Sequence, residues 1–165
     1  MKNEEIKNVE KNEEIKNEVS VGMNNGLISN DISIFKSDVK RLTSLDLSDS
    51  DSKITLLNAM QNCDIKLIDV VDQVLEINGC YVEERPVEDI DSDTGEVKVK
   101  SKYVTMLFGT DGKSYVAGSY GVYTSLMQLA SVMGLPSKDN VYKVKTIKVP
   151  ARIPGHSLLK LILVK

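Results

Sequence analysis

Two hydrophobic periods share this chain. From Val97 to Phe108 the residues alternate, with Tyr103, Thr105 and Leu107 on one face and Val104, Met106 and Phe108 on the other. That period of two predicts a strand. Thr110-Asp111-Gly112 reads as a hairpin turn onto a second strand, Lys113 to Ser119. A longer β-rich run, Lys66 to Val87, precedes both and holds Gly79 within it. A glycine inside a strand pattern predicts a bulge or bend that lets one strand serve two sheets. At Tyr120 the period changes. Val122, Leu126, Leu129, Ala130, Val132 and Met133 recur mostly at three and four residues, which predicts a helix from Tyr120 to Met133. Gly134 caps it and Pro136 stops it. Strands return at Val141 to Val149 and Ser157 to Val164, the last with Leu159, Leu161 and Leu163 as its inner face.

The first 65 residues show another pattern. Residues 1–30 form a low-complexity acidic tail, in which Lys2 to Asn8 recurs as Lys11 to Asn17. Few apolar groups among many charges cannot offset the entropy of ordering, so disorder is expected there. Residues 31–65 read as an N-terminal helical flap. An apolar motif (Ile32, Ile34, Phe35) opens it, and Ser50-Asp51-Ser52 offers caps to a short helix ending near Asn62. Ile54, Leu57 and Met60 share one helical face, expected to pack on the strand-rich domain C-terminal to it.

The resulting order is long bent strand, strand, strand, helix, strand, strand. This predicts an all-β fold, an OB-fold-like β-barrel, with one helix between strands 3 and 4 and a short N-terminal helix. Residues 66–165 would form the barrel.

Composition removes most chemistry. The single His156 and the two cysteines, Cys63 and Cys80, cannot build a histidine-rich or four-thiolate metal centre. Gly109 to Ser114 ends like a phosphate-binding loop, but position 107 is Leu and a strand comes next instead of a helix. Asp89 to Gly95 imitates a calcium loop, yet its glycine comes one position late and Lys100 stands where a bidentate Glu belongs. The segment Glu88 to Glu96 reads as an acidic loop between strands. No nucleophile–base pair emerges, so no enzyme, cofactor or metal is expected. With no apolar run long enough for a membrane span and no secretory leader, a cytoplasmic protein is expected.

The net charge of −3 hides an asymmetry. Residues 66–100 carry 4 basic and 10 acidic groups, whereas residues 141–165 carry six basic groups and no acid. A local basic surface, not the overall charge, decides whether polyanions bind.

The chain also resembles the small single-stranded-DNA-binding proteins of phages and mobile elements of Gram-positive bacteria. The likeness runs through Leu56 to Met60, Tyr81-Val82-Glu83-Glu84, Asp93 to Glu96, Asp111 to Tyr115 and Leu158 to Val164. It implies an OB-like fold, no enzymatic activity, and coating of replication or recombination intermediates in the bacterial host cytoplasm. Replication or recombination proteins are further expected partners. One departure is the ending Leu163-Val164-Lys165, where familiar bacterial single-strand binders carry an acidic tip.

Binding a single strand without sequence preference needs cations along the phosphates and aromatic faces for the bases. The candidates are Tyr103 and Tyr115, with Lys102 and Lys113 beside them, and Tyr142, Lys143, Lys145 and Lys148 on the fourth barrel strand. Arg152 joins them from the Pro150 to Pro154 segment, the position of an OB ligand loop. A competing reading keeps the barrel but makes it a protein-interaction adaptor of a replication or virion complex, docking an acidic partner and binding no nucleic acid.

Overall fold

One long strand organises the sheet. The computed structural model describes residues 39–151 and 156–165; the acidic tail, the Ile32/Ile34/Phe35 motif and Arg152 lie outside them. The elements are β1 (Lys40–Thr43), α1 (Ser50–Gln61), β2 (Ile65–Lys66), a 3-10 turn (Leu67–Val70), β3 (Val74–Ile90), β4 (Val97–Gly109), β5 (Ser114–Ala117), α2 (Tyr120–Met133), β6 (Tyr142–Pro150) and β7 (Ser157–Leu163). They make one sheet in the order β2-β5-β4-β3-β6-β7, with β1 also pairing β3.

β3 pairs with β4 along nearly its whole length but changes its other neighbour part-way. Val74 to Ile77 pair with β6, and Tyr81 to Glu84 pair with β1. The change falls at the predicted bulge: Ile77 faces Gly109 while Gly79 faces Phe108, so Asn78 is the extra residue. An added residue bends and twists a strand. Here it curls the sheet into a half-barrel of the all-β, OB-fold-like class, with α2 between its third and fourth barrel strands.

α2 stands where a strand would close the barrel. Its Ser125 hydroxyl accepts the Leu161 N–H of β7 at 3.0 Å, and Ser119 donates to the Leu159 carbonyl at 3.5 Å. The helix therefore satisfies backbone groups on the open side of β7 that a neighbouring strand would otherwise pair. Gly121 permits the approach, because a Cβ there would collide with the Leu159 carbonyl oxygen. Inside, Leu67, Ile77, Leu107, Val122, Leu126, Tyr142 and Val144 form the core. A second cluster on the outer side of the sheet (Tyr81, Met106, Phe108) is roofed by Leu56 and Ala59 of α1.

Three expectations change. The helix α1 presents Leu56 and Ala59, not Ile54, Leu57 and Met60, which remain exposed. Apolar side chains lie around much of α1, so spacing alone could not select the packed face; its attachment through β1 and the Asp49 cap, which accepts the Ser52 N–H, orients it. The run expected as one strand from Lys66 is broken: Lys66 ends β2, the 3-10 turn follows, and β3 starts at Val74. The acidic loop Glu88 to Glu96 shrinks: Glu88 to Ile90 are still strand, and Asp91 accepts the Asp93 and Thr94 N–H groups to close the turn.

Substituting Gly121→Ala tests the role of α2. The collision is with backbone, which cannot rotate away, so a loss of about 1–3 kcal/mol is expected in urea unfolding. Gly118→Ala, whose Cβ would sit 3.6 Å from the nearest carbonyl, serves as a near-neutral control. Equal midpoints for the two variants would contradict the closure by α2.

Candidate nucleic-acid interface

Past Glu84, β3 loses β1, and before Thr105, β4 has no pairing with β5. Among the described residues, 85–90 and 97–104 thus continue as a two-stranded arm, paired only with each other at its outer end. A lone two-stranded ribbon is marginal in water, so its base matters.

That base is a charged cluster. Glu83 is buried beneath the arm; Tyr81 donates its hydroxyl to it at 2.7 Å, Arg41 its Nε–H at 3.1 Å, and Arg85 reaches its other oxygen at 2.6 Å. Burial pulls the Glu83 carboxyl upward, but the Tyr81 hydroxyl and the two guanidinium groups outweigh it and hold it below the ordinary 4.5. Burial first, and the neighbouring carboxylate second, push the Tyr81 phenol upward. Next along the strand, Glu84 accepts from Ser101 at 3.0 Å and from the Tyr103 hydroxyl at 3.4 Å, with Lys40 at 3.5 Å.

Directly opposed residues of antiparallel strands share a face. Arg85 faces Lys102, Val87 faces Lys100, and Asp89 faces Lys98, which makes one face of the arm cationic. Lys100 is ion-paired with Asp89, while Lys102 has no ion pair among the described residues. The other face carries Glu84/Tyr103, Pro86/Ser101, Glu88/Val99 and Ile90/Val97.

At the foot of the arm α2 meets β4 in a three-tyrosine cluster. The Tyr103 ring lies 4.4 Å from Tyr123 and 5.2 Å from Tyr120, and the two helical rings are 6.2 Å apart. Tyr120 and Tyr123 share a helix face because they are three residues apart. Tyr120 is 58% exposed; Tyr103 and Tyr123 are half-buried. Burial, then the Glu84 charge, raise the Tyr123 phenol. An open groove of about 850 Å³ runs past the cluster, and its walls include Arg85, Lys100, Lys102, Tyr103 and Tyr120. The groove follows the edge of β4 that β5 leaves free, so Tyr103 and Tyr120 border it from one face of the arm and Arg85, Lys100 and Lys102 from the other.

The residues expected from sequence divide into separate groups. Lys102 and Tyr103 line the groove. Tyr115 and Tyr142 are 4% and 1% exposed, and their rings belong to the core. Tyr115 donates to Asp111 at 2.8 Å, and burial followed by that carboxylate pushes its phenol up to about 12; Tyr142 donates to the Gly134 carbonyl. Neither offers a face for a base in this fold, because alternation put both on the buried side of their strands. Lys113 stands exposed in the hairpin turn, 4.0 Å from Asp111. Lys143, Lys145 and Lys148 lie on β6, across β3 from the groove, with Lys143 ion-paired to Glu76 at 3.5 Å. Lys145 faces Val74, eleven residues down β3 from Arg85, which is roughly 35 Å of extended chain. Arg152 lies outside the described residues.

The family described as Phage Single-stranded DNA-binding protein, of the Phi29 phage type, matches residues 35–163. The chain belongs to that family. Its partner is single-stranded DNA. No curated protein and no solved structure matches it. No helix among the described residues is long and apolar enough to cross a membrane.

Arg85, Lys100 and Tyr120, which border the groove, and Tyr123, which packs on Tyr103, were not among the candidates expected from sequence. The spacing of the two tyrosines, three apart at the start of a predicted helix, was an available signal. Arg85 and Lys100 needed the β3–β4 register, which no single-strand pattern contains.

The Glu83 cluster has a pH signature. A carboxyl held below its ordinary value in the folded state contributes stability above about pH 4.5, and this is lost as pH falls through the lowered value. Glu83→Gln should cost about 1–3 kcal/mol at pH 7. The gap between wild type and variant should narrow below pH 4.5 in chemical unfolding. A gap independent of pH would contradict the assignment.

Proposed function

We propose that the groove beside the tyrosine cluster is where this phage protein holds single-stranded DNA. Tyr120 offers the leading face for a base, with Tyr103 and Tyr123 beneath it, and Arg85, Lys100 and Lys102 meet the phosphates. Each stacked base adds about 1–3 kcal/mol, and a phenol ring accepts any base, so binding carries no strong sequence preference. Each cation that neutralises a phosphate releases a counterion, which makes affinity fall with salt. The reading rests on one observation: three rings in mutual contact, the outermost open to solvent, beside three cations on one groove. Such a surface coats exposed strands during phage or mobile-element replication and recombination in the host cytoplasm.

A titration of single- against double-stranded oligonucleotides at two salt concentrations tests this directly. Single strands should bind more tightly, with quenching of tyrosine fluorescence. Tyr120→Ala should weaken binding by about 1–3 kcal/mol with little change in salt dependence. Lys102→Ala should instead lower the slope of log affinity against log salt by about 0.7. Preference for duplex, or full affinity in a Tyr103→Ala/Tyr120→Ala variant, would overturn the assignment.

A further inference from the structure

The outer half of the arm exposes apolar side chains that no other element among the described residues covers. On its non-cationic face Ile90 is 66%, Val97 55% and Val99 70% exposed, with Glu88 between them and the Asp91 to Glu96 turn at the tip. Contiguous exposed apolar side chains with an acidic rim mark a protein contact surface. Glu88, Asp91 and Asp93 have no ion pair among the described residues.

A surface of matching chemistry and opposite charge lies at the other end. On the outer face of β6 and β7, Lys145 stands opposite Ile162, Ile147 opposite Lys160, and Val149 opposite Leu158. Leu158 and Ile162 are exposed, and neither Lys145 nor Lys160 has an ion pair among the described residues. The arm cannot reach this surface in its own chain, because β3 holds the two at opposite ends. A second copy carries the complement to each surface.

We propose that the arm of one copy docks on the outer β6–β7 face of the next, joining copies head to tail along a single strand. This rests on the DNA-binding reading of the groove. Such a contact is heterologous, so it repeats from copy to copy along the strand unless its rotation closes a ring. It also suits the ligand: a single strand has one polarity, so copies bound alike present arm to β6–β7 in the same sense at every junction. A symmetric arm-to-arm pair would instead set Glu88 and the tip acids against their own counterparts, which is unfavourable. Lys145, one of the lysines that sequence pointed to on β6, thus receives an acidic segment of a neighbour, not a phosphate.

The test uses the full chain with two oligo(dT) lengths, one of about ten nucleotides for a single site and one of about sixty for several. Wild type should bind the long strand ~tenfold more tightly per site than the short one. Lys145→Glu/Lys160→Glu and Glu88→Lys/Asp93→Lys should each keep short-strand affinity within about twofold and lose the long-strand gain. A one-to-one mixture of the two variants should restore it, since every junction then pairs opposite charges. The proposal is overturned if wild type shows no gain, if the variants keep it, or if the mixture fails to recover it. Loss of short-strand affinity in Lys145→Glu/Lys160→Glu also overturns it, by assigning those lysines to DNA. Failure of wild type to bind the short strand would instead strike the DNA-binding reading itself.

Discussion

A strand can have only two hydrogen-bonded neighbours at any point, and β3 spends its length exchanging one of them. With β4 on one side from Ile77 onward, the other side passes from β6 to β1 and then, past Glu84, to no strand among the described residues. The extra residue at Asn78 makes the bend that the exchange requires. The candidate interface derives from that division. The first third of β3 belongs to the barrel, the middle is anchored by β1, and the last third becomes the arm.

The arm brings its own problem, because a two-stranded ribbon cannot bury both faces. The protein answers with charge at the base instead of more apolar packing. Glu83 is buried but accepts from Tyr81, Arg41 and Arg85, so three side chains from two strands converge on one carboxylate. A buried ionised group of this kind contributes little net stability compared with an apolar core, but removing one partner is costly. Its value lies in geometry. It fixes Arg85 at the groove, while Glu84 holds the Tyr103 hydroxyl from behind. On the proposed reading, the rings and cations are thereby set in place before any strand arrives, which lowers the ordering cost of binding.

Much of this was legible in the sequence. The bulge at Gly79, the hairpin at Asp111-Gly112, the bounds of α2 and its Gly134 cap all come from local chemistry, and the structure reproduces them. What local chemistry does not hold is register. Tyr103 and Tyr115 look alike in a period-two pattern, yet one borders a groove and the other is sealed in the core, because β5 covers β4 only from Thr105 onward. The lysines of β4 and β6 are equally basic in sequence, and only the strand order separates them across β3. β1 and β2 are four and two residues long, too short for any period to declare itself. On α1 the apolar residues surround the helix, so its packed face is chosen by tertiary attachment.

The central claim is that three particular tyrosines meet the DNA. Nitration of the six tyrosines, read residue by residue by mass spectrometry with and without oligo(dT), addresses it most directly. Tyr120 should react readily in the free protein, Tyr103 and Tyr123 more slowly, and all three should be protected by the strand. Tyr81, Tyr115 and Tyr142 should stay inert throughout. Undiminished reactivity of Tyr120 and Tyr103 in the saturated complex would contradict the account.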